Sequence, residues 1–358
     1  MKITRLLTWQ EHLPLTRPYT IAYQRVDAVT NWIVELHTDT GLIGYGAAAP
    51  SDHVTGETEA MCSEALSQDQ LAWLLGSDPR ELPLLCRKLS HRMEHTPAAR
   101  AAVDIALHDL LAQHLGLPLV RMLGQAHERL PTSITIGIKS IDATLEEADE
   151  YIGRGFRMLK VKLGLNLEED LERLAQLRAH VGSGIGIRVD PNQGYSTSDV
   201  EHFIATTANL DIEFLEQPMP AADIDTMRQL PAVVRRCLAA DESLLTERDA
   251  LRLLNPSPAC GIFNIKLMKC GGIRPAQRIA TFAETAGIEL MWGCMDESII
   301  SISAALHAAL ASPATAYLDL DGSFDLARDV VSGGFVLQNG CLAPCDQPGL
   351  GLQRTIRP

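Results

Sequence analysis

The sequence predicts an α/β fold: a (β/α)8-type barrel with an N-terminal α+β capping domain that the C-terminal tail completes. Three observations predict it. Five short strand-like runs, MLKVKLG, GIRVDPN, IEFLEQP, LAADES and IFNIKLM, each end in a charge, at Lys162, Asp190, Glu216, Asp241 and Lys266. These charges stand 28, 26, 25 and 25 residues apart, the length of one strand-plus-helix unit, which is the crossover a parallel pair requires. The rhythm is absent before about residue 125 and stops after residue 322. Functional groups at successive strand C-termini are the layout of a barrel whose site is built on that face. A single carboxylate after a strand is ordinarily a helix cap or a turn residue. Five charges in phase with the βα period are not accounted for in that way.

In chain order, residues 1–125 form the capping domain. ITRLLTWQEHL and NWIVELHTDTGLIGYGAA alternate apolar and polar around turn residues and read as antiparallel strands. TRPYTIAYQRVDAVT, between them, reads as a loop or irregular strand, and APSDHVTGE as a turn-rich loop. PAARAAVDIALHDLLAQHLG reads as an amphipathic helix, with Pro near its start and Gly at its end. Asp104 and His108 share one of its faces; they are a metal-ligand pair or, preferably, a buried hydrogen-bonded pair that packs the helix on the barrel. Residues 126–322 carry the barrel, from LPTSITIGIK through ELMWGCM to AYLDLDG. Residues 323–358 are rich in Gly and Pro with two short apolar runs, and fold back on the capping domain as strands.

Composition narrows the function classes. A net charge of −14 over 358 residues argues against a nucleic-acid partner, and no run approaches a membrane span. The N-terminus lacks the pattern of a signal peptide. Eight scattered cysteines, without C-x-x-C or zinc spacing, suit a reducing cytoplasm. Cys294, at a strand end with no activating His beside it, reads as a packing residue rather than a nucleophile. The sequence is compatible with a homo-oligomer and does not specify one.

Asp190, Glu216 and Asp241 come from consecutive strands, so their carboxylates converge. Like charges that close disfavour ionisation, and a divalent cation resolves the conflict. All-oxygen ligation suits Mg2+, or Mn2+, and argues against zinc. Lys162 precedes the acids by one strand and Lys266 follows them by one, so the two amines face each other across the pocket. A second amine and a cation nearby lower a lysine's pKa and make it a usable base. Lys160 shares the face of Lys162 and helps to neutralise a bound carboxylate. These parts suit removal of a proton from a carbon next to a carboxylate, with the metal holding the enediolate, and its return to the opposite face. Elimination and cycloisomerisation use the same parts and stay open here.

The motifs K-V-K at Lys160–Lys162, DPN at Asp190, EQP at Glu216, ADES at Asp241 and NIKLMKCGG at Lys266 follow in order. With them the chain resembles the enolase superfamily, muconate-lactonising-enzyme subgroup, over essentially its whole length. D-L-D at Asp319–Asp321 resembles the mark of its dipeptide epimerases. The resemblance implies that Asp319 and Asp321 bind the α-ammonium of a dipeptide. It implies that loops 16–30 and 47–57 close over the substrate, and that Thr135 and the loop around Cys294, Met295 and Ser298 line the rest. Specificity is expected from Gln24 or Arg25, from Asp52 and Glu57, and from Asp296 and Glu297. The acids favour dipeptides with Lys or Arg side chains. Asp296 or Glu297 acting instead as a cap for the helix at Ser298 is the competing expectation. An L-Ala-D/L-Glu or hydrophobic dipeptide epimerase, an N-acyl amino acid racemase, and an o-succinylbenzoate synthase-like lyase are the alternative activities. A binding protein with a dead barrel is disfavoured, because a binder has no use for opposed lysines.

Overall fold

A computed structural model describes residues 1–21 and 24–355, with the side chains of 18–26 outside the description. Strands β1 (Ile3–Ile21), β2 (Gln24–Thr38) and β3 (Ile43–Ala48) form an antiparallel sheet. β1 and β2 pair along almost their whole length, with register shifts between Ile3 and Arg5 and between Pro14 and Tyr19. Of the loop or irregular strand expected at 16–30, the described residues form the irregular strand. The Pro and aromatic residues that break the alternation there interrupt the register without ending the pairing.

The helix α1 (Pro97–Leu115) lies on this sheet with its small residues inward. Gly44 and Gly46 of β3 permit the approach: a Cβ on Gly46 would sit 1.8 Å from the Ala102 carbonyl oxygen. From Ala98 to Leu110 every residue of α1 except Arg100 is buried. It is therefore not amphipathic, as the pattern suggested, but a helix enclosed between two layers. Two contacts seal it. The carboxylate of Glu57 accepts from the Ala98 and Ala99 amides at 2.6 and 3.1 Å, satisfying free N–H groups at the start of α1. Asp104 Oδ1 accepts from the Ile273 amide at 2.6 Å, at the start of the barrel helix α2 (Ile273–Ala286). His108 Nδ1 lies 3.2 Å from the same carboxylate, the packing arrangement preferred from the sequence.

The barrel follows a short β4 (Leu130–Pro131). Its strands are β5 (Ile134–Ile136), β6 (Met158–Lys162), β7 (Gly186–Asp190), β8 (Ile212–Glu216), β9 (Leu238–Ala240), β10 (Ile262–Ile265), β11 (Glu289–Gly293) and β12 (Thr315–Asp319). They pair in parallel and in sequence order, and a parallel bridge from Thr132 to Leu318 closes the ring. The expected first barrel strand starts later than LPTSITIGIK suggested. Leu130 and Pro131 pair instead with the tail, on β15 (Cys341–Pro344), which also carries β14 (Phe335–Gln338).

The tail's β13 (Val331–Gly333) and β16 (Leu352–Arg354) form a further pair. Arg354 reaches Glu35 on β2 at 3.0 Å, and the Leu350 amide donates to Asp109 of α1 at 2.8 Å. Burial raises the Asp109 carboxyl to about 6, the amides of Tyr45 and Leu350 opposing it. A carboxyl raised in the fold contributes its stability below the unfolded value and loses it as pH rises through about 6. Wild type is thus expected to lose about 3 kcal/mol between pH 4 and 7 relative to Asp109→Asn. Urea unfolding of both chains across that range measures the difference; parallel profiles would contradict it. Among the described residues no helix is long and apolar enough to cross a membrane.

Candidate active site

The C-terminal ends of β6 to β12 deliver the charged residues to one volume. Each sits where a parallel strand gives way to its loop, the position at which a barrel exposes side chains without breaking its ladder. Asp190 and Glu216 are the last residues of β7 and β8, and Asp241 follows β9 directly. All three are buried, at 1%, 0% and 2% exposure.

Burial pushes the Glu216 carboxyl up to about 7, and the charges of Asp190 and Asp241 push the same way. Its Oε1 accepts from Asn264 Nδ2 at 2.7 Å, whereas Oε2 has no hydrogen-bond partner. Lys160 Nζ stands 2.8 Å from Oε2 but outside hydrogen-bond directions. Three buried carboxylates from adjacent strands, one with an orphaned oxygen, form an all-oxygen donor set that fits Mg2+ or Mn2+.

Lys160 Nζ is surrounded by carboxylates. It lies 2.8 Å from Asp319, 2.8 Å from Glu216 and 3.4 Å from Asp190. Burial works against its charge, but the three acids hold it well above the ordinary lysine range. Lys162 Nζ donates to Asp190 at 2.6 Å and to Asn192 at 3.1 Å. Lys266, just beyond β10, donates to Asp241 at 2.8 Å. Here too burial opposes the charge and the adjacent carboxylate overrides it, so without a divalent ion Lys266 is held above its ordinary range. Each amine has its own acid, a pairing that the spacing along the chain does not reveal. β6 and β10 are four places apart in an eight-stranded ring, which puts the two lysines on opposite walls.

Asp319 ends β12, and Ser133 Oγ donates to its Oδ1 at 2.6 Å. Asp321 accepts from the Thr135 amide at 2.8 Å, and burial with the neighbouring Asp319 raises it to about 7. Cys294 Sγ lies 4.0 Å from Asp321 and 3.3 Å from the Asp319 carbonyl oxygen. Burial and the charges around it hold the thiol far above the ordinary range, which disfavours the reactive thiolate.

The loop after β11 divides its acids. Glu297 is 2% exposed and turns inward to accept from the Met295 amide at 2.8 Å. Burial raises its carboxyl to about 7. Asp296 is partly exposed. Neither caps the following helix, α3 (Ile299–Leu310). Ser298 accepts from the Ile300 amide, and Asp329 from the Ile299 amide at 2.7 Å, so the capping alternative fails. Asn31 of β2 grips this loop on both sides: its Nδ2 donates to the Asp296 carbonyl oxygen at 3.3 Å, and its Oδ1 accepts from the Ser298 amide at 2.9 Å.

Other expected contacts are not brought together. Asp52 is exposed in the first turn of a short helix, Asp52–Thr55, and Glu57 is spent on α1. The side chains of Gln24 and Arg25 lie outside the described residues. The sequence reading also missed three residues that brace the site. Lys269 Nζ, 2% exposed, donates to the carboxylate of Asp241 and to the carbonyl oxygens of Asp241 and Asn264 at 2.7 and 3.0 Å. Gln217 accepts from the Asp241 and Ser243 amides at 3.0 and 3.1 Å and so sets the bend after β9. Asn264 holds Glu216, as above. The signal for Lys269 was present as K-L-M-K, one turn beyond Lys266; Gln217 and Asn264 carry no charge to mark them.

Comparison with known proteins agrees with this geometry. Residues 3–124 match the mandelate racemase / muconate lactonizing enzyme N-terminal domain, and residues 143–355 the enolase C-terminal domain-like family. The chain belongs to the mandelate racemase / muconate lactonizing enzyme family. Within it, the chain is 59% identical over 352 residues to the L-Lys-D/L-Arg epimerase of Methylococcus capsulatus, covering 98% of this chain and 99% of that protein. It is 55% identical to the L-Lys-D/L-Arg epimerase of Desulforapulum autotrophicum, over 99% of this chain and 100% of that one. A solved dipeptide epimerase from M. capsulatus, complexed with Mg and the dipeptide L-Arg-D-Lys, superimposes with a TM-score of 0.97. That match is 59% identical and covers 98% of this chain and 99% of the other.

Proposed function

We propose that the protein is a Mg2+-dependent epimerase that inverts the α-carbon of the C-terminal residue of dipeptides with cationic side chains. The observation that carries the reading is the placing of Lys162 and Lys266 on opposite walls, with Asp190, Glu216 and Asp241 between them. The similarity to L-Lys-D/L-Arg epimerases supports the substrate class.

Asp190, Glu216 and Asp241 would hold the ion, which supplies positive charge to the substrate carboxylate and so acidifies the adjacent C–H. Lys160 adds a fixed positive charge on the same side. A substrate lying between the walls meets one lysine at each face of its α-carbon. One amine takes the proton, leaving an enediolate, and the other returns a proton from the opposite face, so the product is inverted. Asp321 is suited to the substrate's ammonium, because among the described residues one of its oxygens has the Cys294 thiol, 4.0 Å away, as its hydrogen-bond partner. Asp319 already holds Lys160 and Ser133, and so it tunes the ammonium site while anchoring Lys160. Burial around these groups excludes water and strengthens each interaction.

Asp296 is assigned to the cationic side chain, since Glu297 is turned inward. Asp296→Asn should raise KM for Lys- and Arg-containing dipeptides about tenfold, the worth of one charge-assisted contact. KM for Ala-Ala should stay unchanged, and steady-state kinetics on both substrates check it. The reading as a whole is tested by incubating an L,L-dipeptide library with enzyme and Mg2+ in D2O. Deuterium at the C-terminal α-carbon with inversion is expected; no exchange with any dipeptide excludes it. We also place the enzyme in the cytoplasm, which suits its free cysteines.

A further inference from the structure

Behind the segment that carries Lys266 and Lys269, the capping domain meets the barrel across a cavity of about 40 Å3. Three arginines line it, Arg100 from α1 and Arg274 and Arg278 from α2. Arg278 is paired, its Nη1 lying 3.3 Å from Glu247, and its side chain is 53% exposed at the mouth. The other two are not paired: among the described residues no carboxylate lies within ion-pair distance of Arg100 or Arg274. Arg100 donates one hydrogen bond, from Nη2 to the Cys270 carbonyl oxygen at 2.7 Å, and its buried Nε has no partner. The buried Nε of Arg274 has none either.

Half-buried guanidinium groups without partners are costly, and such orphaned donors call for a ligand or ordered water. The cost is the more notable in a chain with a net charge of −14, where carboxylates are plentiful. Of the two acids in the lining, Glu247 is paired with Arg278, and Asp104 is already committed to His108 and to the Ile273 and Arg274 amides. Cys86, Asp104 and His108 bring ligand atoms within 4.8 Å of one another, which by itself suggests a metal ion. The arginines decide against it, because Arg100 and Arg274, without carboxylate partners of their own among the described residues, repel a cation beside the cluster. Gly271 completes the cradle: a Cβ there would lie 2.0 Å from Arg100 Nε, so only glycine lets the guanidinium lie against the backbone.

We propose that this cleft binds a tetrahedral oxyanion of the phosphate type, held by the guanidinium groups of Arg100, Arg274 and Arg278. Arginine forks match such an anion in charge and geometry. The cavity exceeds the roughly 10–15 Å3 that holds a single water, and the exposed Arg278 gives it a way in. Bound there, the anion ties α1 of the capping domain to α2 of the barrel directly behind Lys266.

Isothermal titration of the Mg2+-loaded full chain with inorganic phosphate, at constant ionic strength, tests the site. Wild type should give a saturable one-site isotherm. Arg274→Gln and Arg278→Gln, each checked for folding by circular dichroism, should bind about tenfold more weakly, as loss of one charge-assisted contact predicts. Should one variant not fold, the other decides. A parallel titration with phenyl phosphate separates the sources. Binding as strong as that of the free ion assigns the site to a phosphate ester, and its loss assigns the site to phosphate itself. Absence of saturable binding in wild type overturns the proposal. So does full-strength binding in every folded variant, which would put the phosphate at the divalent-ion site instead.

Discussion

Lys162→Ala and Lys266→Ala are each expected to abolish epimerisation, with kcat falling by roughly 10^2- to 10^4-fold or more, the usual worth of a positioned general base or acid. The two losses should differ in kind. Each variant keeps one amine on one wall, so it can still exchange the α-proton of the isomer that presents its hydrogen to that wall. Proton NMR in D2O with the L,L and L,D forms of one dipeptide makes the distinction. Exchange confined to one isomer in Lys162→Ala, and to the other in Lys266→Ala, is the expected pattern. If either variant still interconverted the isomers at the wild-type rate, the two-wall arrangement would be wrong. Each substitution also removes one of the two lysines paired with a buried carboxylate, Asp190 or Asp241, so metal affinity should be measured beside kcat.

Chelation of the divalent ion is expected to remove activity completely, and addition of Mg2+ to restore it. Burial already pushes Glu216 to about 7 with only lysines to compensate three acids. Under those conditions Lys160 is held among Asp319, Glu216 and Asp190. A divalent cation that binds only the folded cluster also stabilises the fold by mass action. Thermal unfolding with EDTA and with Mg2+ should therefore show a higher Tm with the ion, rising with its concentration. A Tm and an activity indifferent to chelation would remove the acids from the mechanism.

Much of this was legible in the chain. The βα period located the barrel strands because a parallel crossover has a near-fixed length and the charges fall at strand ends, where the register is visible. The lysines, the three acids and the Asp319–Asp321 pair were identified on that basis. What stayed illegible depends on partners distant in sequence. Glu57 looked like a pocket acid, but its partners are the Ala98 and Ala99 amides, and nothing in APSDHVTGE marks them. The hairpin of β1 and β2 was hidden because Pro14 and Pro18 break the alternation that announces a strand. Which acid each lysine meets was not legible either, because ion-pair partners come from neighbouring strands. Spacing along the chain lists such groups but does not say which amine meets which acid.

Asn31 has an evolutionary corollary. It grips the loop after β11 solely through main-chain atoms, the Asp296 carbonyl and the Ser298 amide. Any side chain at 296 leaves those two bonds intact. On the proposed assignment of Asp296 to the substrate's side chain, position 296 can therefore vary without undocking the loop from the cap. One asparagine would then separate the fixed task of docking the loop from the variable task of choosing the substrate, and a lineage carrying it could change diet without rebuilding that contact.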